Sequence, residues 1–298
     1  MSLFVKKIIN VDGIDSEIYQ NTNLKTHEQF FHIVIIPGNP GIGGYYLNLS
    51  RSIWEKTKGQ YGLSILSYAG FTEQNTNRVF SITEEAEHKI KLIKVIRQEL
   101  PKNSKLILIG HSIGGWICLK ILNSDLSAWV EKAILIFPFI TQNLKSTKQT
   151  FTKFLIQKSW IRSIISEFFT LLISLPIQLK SNILAFVTNQ YDTDSKNITY
   201  KYFGELSHII NSVLYMASTE FQELGIEMDL FLIQENVKKL HFIYTQDDHW
   251  ASIEQAQYLK KQIQNINLQI LDDVEHAFCV TGIGNKIISN RILEILLM

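Results

Sequence analysis

Short apolar runs that recur between helical stretches do most to limit what this chain can fold into. Phe31 to Ile36, Gly62 to Ser67, Lys105 to Ile109 and Ala133 to Phe137 come first; Lys239 to Tyr244 and Leu268 to Leu271 come late. Near-continuous apolar strands of this kind belong to parallel sheets buried on both faces. Between the second and third runs, Thr83 to Leu100 has helical spacing. Ala86, Ile90, Ile93, Ile96 and Leu100 share a face, whereas Lys89, Lys91, Lys94 and Arg97 are expected to turn outward. Thr83 is the expected N-cap, Glu84 and Glu85 suit the positive end of the helix, and Pro101 helps stop it. Trp116 to Leu122 reads as the helix after the third run, and Asn285 to Leu297 as a terminal amphipathic helix. The alternation predicts an α/β chain with a mostly parallel central sheet and helices on both faces.

The alternation stops from about Thr141 to Asn236, a helical and aromatic stretch. With no repeat and no low-complexity linker, the chain reads as a single domain over 1–298 carrying a helical cap insertion at 141–236. The insertion holds the apolar peak, Trp160 to Val187, and Phe168 to Leu179 contains no charge. A helix of that uncharged length rises about 18 Å, short of a ~30 Å hydrocarbon core. Three roles stay open: a buried lid helix, a segment lying in a lipid interface with Trp160, Phe168 and Phe169 inserted, or a re-entrant hairpin turned at Pro176. Lys145, Lys148, Lys153, Lys158 and Arg162, just before the peak, could meet anionic headgroups or form a solvated face.

Charge and composition remove several classes. Twenty-nine Lys and Arg against 28 Asp and Glu leave a net charge of +1, without the basic excess of a nucleic-acid binder. With 46% hydrophobic and 19% charged residues, the chain is the reverse of a disordered one. No run of about 18 apolar residues marks a spanning helix. Two cysteines, Cys118 and Cys279, suit a reducing compartment. Met1 to Val11 lacks a secretion core and Ile295 to Met298 lacks a lipidation or peroxisomal address, so the expected location is cytosolic or at a lipid surface.

Gly110-His111-Ser112-Ile113-Gly114 carries the chemistry. A G-x-S-x-G between strand and helix puts a serine on a sharp turn, its hydroxyl facing the site. Glycines on either side admit neighbouring chain, and the helix N-terminus lets Ile113 N–H serve as half of an oxyanion hole. A chance glycine pair in a loop is the ordinary alternative. A nucleophilic serine needs a histidine base and an orienting carboxylate, following it in the order acid, then histidine. Asp247 and Asp248 follow the Lys239 to Tyr244 strand, and one of them should face the histidine. His276 follows the last strand, with a core histidine as its bland alternative. His249 is too close to the acid to be oriented by it. His27, His32, His88, His208 and His241 have no motif context and are expected at surface or half-buried positions. Pro37-Gly38-Asn39-Pro40-Gly41 lacks the spacing of a phosphate loop but can fix one backbone N–H as the second oxyanion donor. Asn39 is the expected donor and Gly38 the second choice.

Together these residues resemble the α/β-hydrolase fold, and more narrowly the lipid droplet-associated hydrolase family. The match rests on Ile35 to Gly41 with Tyr45-Tyr46, on Leu108 to Gly114 preceded by Glu87-His88-Lys89-Ile90, and on Tyr244 to Trp250 with His276-Ala277-Phe278. The family's Tyr-x-x-x-Asp-x-Trp pattern falls on Asp248. Thr245 and His249 depart from it, where Gly and Pro are usual. The resemblance implies a serine hydrolase at lipid droplets or the endoplasmic reticulum, acting on ester or sterol-ester substrates. The expected catalytic residues are Ser112, Asp248 and His276, with Asn39 and Ile113 at the oxyanion and no cofactor or metal. Tyr45, Trp160, Phe168 and Phe169 are expected to contact substrate or lipid. A lipid-surface binding protein with a vestigial site is the alternative, and acyl transfer to an alcohol a third option.

Overall fold

The computed structural model of the chain describes residues 3–21, 31–75 and 78–297. Its strands are β1 (Phe4–Val11), β2 (Ile14–Asn21), β3 (Phe31–Ile36), β4 (Gly62–Leu66), β5 (Lys105–His111), β6 (Val130–Ile136), β7 (Leu240–Thr245) and β8 (Asn267–Leu271). They form an 8-stranded sheet in the order β1-β2-β4-β3-β5-β6-β7-β8. From β4 to β8 the neighbours are parallel, whereas β2 runs antiparallel to both β1 and β4. The first hairpin turns at Asp12-Gly13, both at positive φ (52° and 81°), as a tight two-residue turn requires.

The helices are α1 (Leu47–Lys56), α2 (Ile82–Glu99), α3 (Ile113–Leu122), α4 (Thr147–Gln157), α5 (Ser159–Ile173), α6 (Ile177–Val187), α7 (Thr193–Glu205), α8 (His208–Glu223), α9 (Leu230–Glu235), α10 (Ile253–Gln262) and α11 (Gly282–Leu297). α2 begins one residue before Thr83, because Ser81 is the cap: its side chain takes Glu84 N–H while Glu84 returns a bond to Ser81 N–H. Two of the lysines and arginines expected outside are inside. Lys89 is fully buried and pairs with Glu85 at 3.1 Å, and Arg97 is buried with its guanidinium on backbone carbonyls. Glu85, Lys89, Leu92 and Ile96 share the buried stripe, so partner availability rather than residue type decides what lies on it. His32, His88 and His241 are likewise buried, deeper than expected; His208 is half-buried, and His27 lies outside the described residues.

β3 sits between β4 and β5, so successive connections leave it in opposite directions. The loops after β3 and β5 therefore border one crevice at the carboxyl ends of the strands.

Between β6 and β7 the chain forms α4 to α9. α7 and α8 are tied to the sheet layer. Tyr202 OH donates to Glu17 Oε1 (2.5 Å), Thr199 Oγ1 meets Tyr45 OH (2.8 Å), and Ile82 N–H donates to Thr219 Oγ1 (3.0 Å). α5 and α6 differ: neither has a buried residue. The expectation of a buried lid helix is corrected here. Pro176 disfavours helix in the residue before it, so the apolar run splits into two helices in the outermost layer. Trp160, Ile164, Phe168, Leu171, Ile177 and Phe186 are all exposed. Among the described residues no helix is long and apolar enough to cross a membrane.

Candidate active site

β5 ends at His111 and α3 begins at Ile113, leaving Ser112 alone on the turn with φ 53° and ψ −123°. Side-chain-bearing residues rarely hold that conformation, and its cost is about 1–3 kcal/mol. Three backbone bonds impose it. Ser112 N–H donates to Ile136 O (3.0 Å), and Ser112 O accepts from Gly115 N–H (2.9 Å) and Phe139 N–H (3.1 Å). The flanking glycines are sterically required. A Cβ on Gly114 would lie 2.4 Å from Ile36 O, and one on Gly110 would lie 2.5 Å from Gly114 O.

The loops after β7 and β8 bring Asp248 and His276 together. Asp248 Oδ2 is 2.6 Å from His276 Nδ1, and Asp248 Oδ1 accepts from Trp250 N–H (2.8 Å) and Ala251 N–H (3.2 Å). A carboxylate at Nδ1 places the proton there and leaves Nε2 free to accept. Asp248 is buried, whereas Asp247 is exposed. His249 lies beside Trp250 with ring centroids 5.0 Å apart, and its pKa is lowered by partial burial. Trp250 packs on Phe139 and Phe221. The His276 ring lies 5.0 Å from that of His111, the residue before Ser112. Among the described residues no hydrogen bond joins Ser112 Oγ to His276; such bonds often tighten only around substrate.

The loop after β3 lies against the serine: a Cβ on Gly38 would be 3.0 Å from Ser112 Cβ. Gly38 N–H donates to Tyr46 OH (2.9 Å), and the same hydroxyl is hydrogen-bonded to His111 Nδ1 (2.7 Å). Burial holds the His111 pKa well below its usual value, so the ring is neutral. This chain of bonds uses the Gly38 N–H and removes it as the second choice of donor. Asn39 N–H and Ile113 N–H, by contrast, have no acceptor among the described residues. Tyr68 braces the loop from behind. Its hydroxyl donates to Pro37 O (2.5 Å), and its ring would be 2.4 Å from a Cβ on Gly41. The Asn39–Pro40 bond is cis.

Sequence reasoning missed Tyr46, His111 and Glu220. The first two lie inside the motifs Tyr45-Tyr46 and Gly110 to Gly114, which assign them no role of their own. Glu220 lies on α8, and its Oε1 accepts from Asn39 Nδ2 at 3.1 Å, a contact no local pattern signals.

A cavity of about 330 Å³ lies beside these groups, lined by the residues on either side of the site, His276 included, though not by Ser112 itself. Gly38, Asn39, His111 and His276 form its reactive end; Tyr45, Phe169, Leu184, Val187, Phe203 and Val280 form much of its apolar wall. Phe169 thus faces inward, whereas Trp160 and Phe168 on the same helix are exposed. A cleft of about 440 Å³ beside Asp273, Glu275 and Ile287 contains none of the reactive groups.

The chain is similar to proteins already known. A family model described as lipid-droplet associated hydrolase matches residues 29–279. The chain is 28% identical over 260 residues to a lipid droplet-associated hydrolase of Gallus gallus, covering 82% of this chain and 78% of that protein. It is 25% identical over 294 residues to one of Dictyostelium discoideum, covering 92% and 91%. Among solved structures, a haloalkane dehalogenase from Agrobacterium tumefaciens superposes with a TM-score of 0.70 at 10% identity, over 100% of this chain and 98% of that one. A serine hydrolase from Cycloclasticus zankles gives 0.66 at 14% identity, over 97% and 96%. At such identities the structural matches speak for the fold alone, which is that of the α/β-hydrolases.

Proposed function

The chain belongs to the lipid-droplet associated hydrolase family, and from that membership and the groups around Ser112 we propose that it cleaves a carboxylic ester of a lipid through an acyl-enzyme. The observation that carries the proposal is the His276–Asp248 bond of 2.6 Å beside a strained serine turn, with the N–H groups of Ile113 on that turn and Asn39 on the neighbouring loop unpaired among the described residues.

Ser112 Oγ attacks the ester carbonyl carbon while His276 Nε2 takes its proton. Asp248 holds the tautomer and stabilises the imidazolium. Asn39 N–H and Ile113 N–H bind the oxygen as it becomes negative; losing one such donor costs about 3 kcal/mol. Collapse expels the alcohol, which leaves with the proton from His276. Water then gives a proton to His276 and attacks the acyl group, and release of the acid returns that proton to Ser112. No step calls on a metal or cofactor.

The apolar cavity suits an acyl chain, with Tyr45 and Phe169 along its wall. Residues 141–236 act as a cap within the domain. α5 and α6 present one side to the cavity and the other to the outside, where Trp160 and Phe168 enter a lipid surface, that of a droplet or of the endoplasmic reticulum. The chain lies on that surface as a peripheral protein. Hydrolysis of p-nitrophenyl esters of increasing acyl length tests the proposal. Turnover that peaks at a medium or long acyl chain and vanishes in Ser112→Ala supports it. Folded wild type inert on the whole series, yet bound to lipid, would support the binding-protein alternative.

A further inference from the structure

Asn39 is held by its side chain as well as by its place in the loop. Its Nδ2 donates to Val213 O (3.2 Å) and to Glu220 Oε1 (3.1 Å), both on α8. Two acceptors facing Nδ2 fix which way the amide is turned. Its other end is left wanting: Asn39 Oδ1 is buried with no donor among the described residues. Glu220 is itself only 5% exposed. A buried carboxylate with no cation is costly, and so is a buried carbonyl with no donor. One proton relieves both.

We propose that Glu220 is a positioning residue for the oxyanion hole, held as a neutral carboxylic acid whose O–H pairs with Asn39 Oδ1 while its carbonyl oxygen accepts from Asn39 Nδ2. The inference rests on the assignment of Asn39 N–H as an oxyanion donor. It adds that α8, part of the 141–236 insertion, sets the direction of that N–H. The acid–amide pair consists of two parallel hydrogen bonds, so it fixes the amide in angle as well as distance.

The surroundings of Glu220 favour the neutral form. From the loop after β3 it meets Asn39. In the loop after β4, Tyr68 is near enough to feel its charge, and the Tyr68 hydroxyl is committed to Pro37 O. Behind Tyr68 on α2, Glu85 and Lys89 form a pair of no net charge. Among the described residues no Lys, Arg or His pairs with its carboxyl group. Burial raises its pKa to about 8, with the Asn39 amide pulling the other way.

Two variants and two readouts test this. Glu220→Gln retains an acceptor and a donor but cannot ionise; Glu220→Leu has neither. With a soluble p-nitrophenyl ester, wild-type kcat should fall as pH rises through about 8. The Gln variant should lack that fall. The Leu variant should lose about 10–100-fold in kcat with little change in KM, the scale of a misplaced catalytic group. Infrared difference spectra at neutral pH should show a protonated-carboxyl band in wild type that is missing in Glu220→Gln. Absence of the band overturns the neutral acid, and a Gln variant with the wild-type alkaline fall overturns its link to the hole. A folded Leu variant with wild-type kcat overturns the positioning role. A wild type that turns over no ester at all instead defeats the hydrolase assignment, and the positioning role with it, whatever the infrared band shows.

Discussion

Asp248 reaches His276 Nδ1 at 2.6 Å with one oxygen while its other oxygen takes two backbone N–H groups, from Trp250 and Ala251. Those backbone bonds hold the carboxylate in one orientation, so it presents a fixed acceptor to the ring. Removing its charge while keeping its shape should therefore let the imidazole adopt the wrong tautomer. Asp248→Asn is expected to lower kcat on a soluble ester by about 10⁴-fold. Asp247, exposed one residue earlier, should tolerate Asn without loss. Comparable losses in the two variants would contradict the assignment.

Tyr46 links the loop after β3 to the residue before the serine through Gly38 N–H and His111 Nδ1. Tyr46→Phe leaves both buried groups unpaired. Urea unfolding should show a loss of about 1–3 kcal/mol. An unchanged stability would mean that the two groups find other partners.

Four buried histidines, His32, His88, His111 and His241, make the fold sensitive to acid, and burial holds the His111 pKa well below its usual value. Burial lowers the pKa of His32 to about 4, of His88 to about 3 and of His241 to about 4, from 6.5. As pH falls below 6.5, the unfolded chain takes up protons that the native chain refuses. This part of the stability is complete above that pH and is lost progressively toward about 4 for His32 and His241 and about 3 for His88. The urea midpoint should decline over that interval, and less steeply in His241→Leu. A flat profile in both proteins would show that the rings protonate in place.

The exposed apolar side chains of α5 and α6 should dominate attachment to lipid. Fully burying one such side chain is worth about 1.5–3 kcal/mol, or roughly tenfold or more in binding. Phe168→Glu, Leu171→Glu and Phe186→Glu combined should abolish flotation with triacylglycerol droplets yet leave hydrolysis of a soluble short ester intact. Full retention on droplets would place the contact elsewhere.

Much of the sheet could be read from the chain because a strand buried on both faces leaves a dense apolar run, as at Ile33 to Ile36 and Ala133 to Ile136. The first hairpin was missed although Asp12-Gly13 is a strong turn signal, since β1 carries Lys6, Lys7 and Asn10 and shows no such run. The serine, acid and histidine loops were legible through spacing and strand context. Lys89 was misplaced because periodicity gives a direction but not a partner, and Glu85 lies one turn away on the buried stripe. The two oxyanion candidates could be named, but Gly38 could be set aside only by seeing Tyr46 OH on its N–H. Glu220 was invisible because Asn39 and α8 meet across the fold.

Covalent mapping with a fluorophosphonate is the most direct test of the proposed nucleophile. Folded wild type treated with the probe, digested and analysed by mass spectrometry should carry one adduct, on Ser112. Ser112→Ala should carry none. Folded wild type without an adduct, or an adduct of equal yield in Ser112→Ala, would contradict the assignment of Ser112 as the nucleophile.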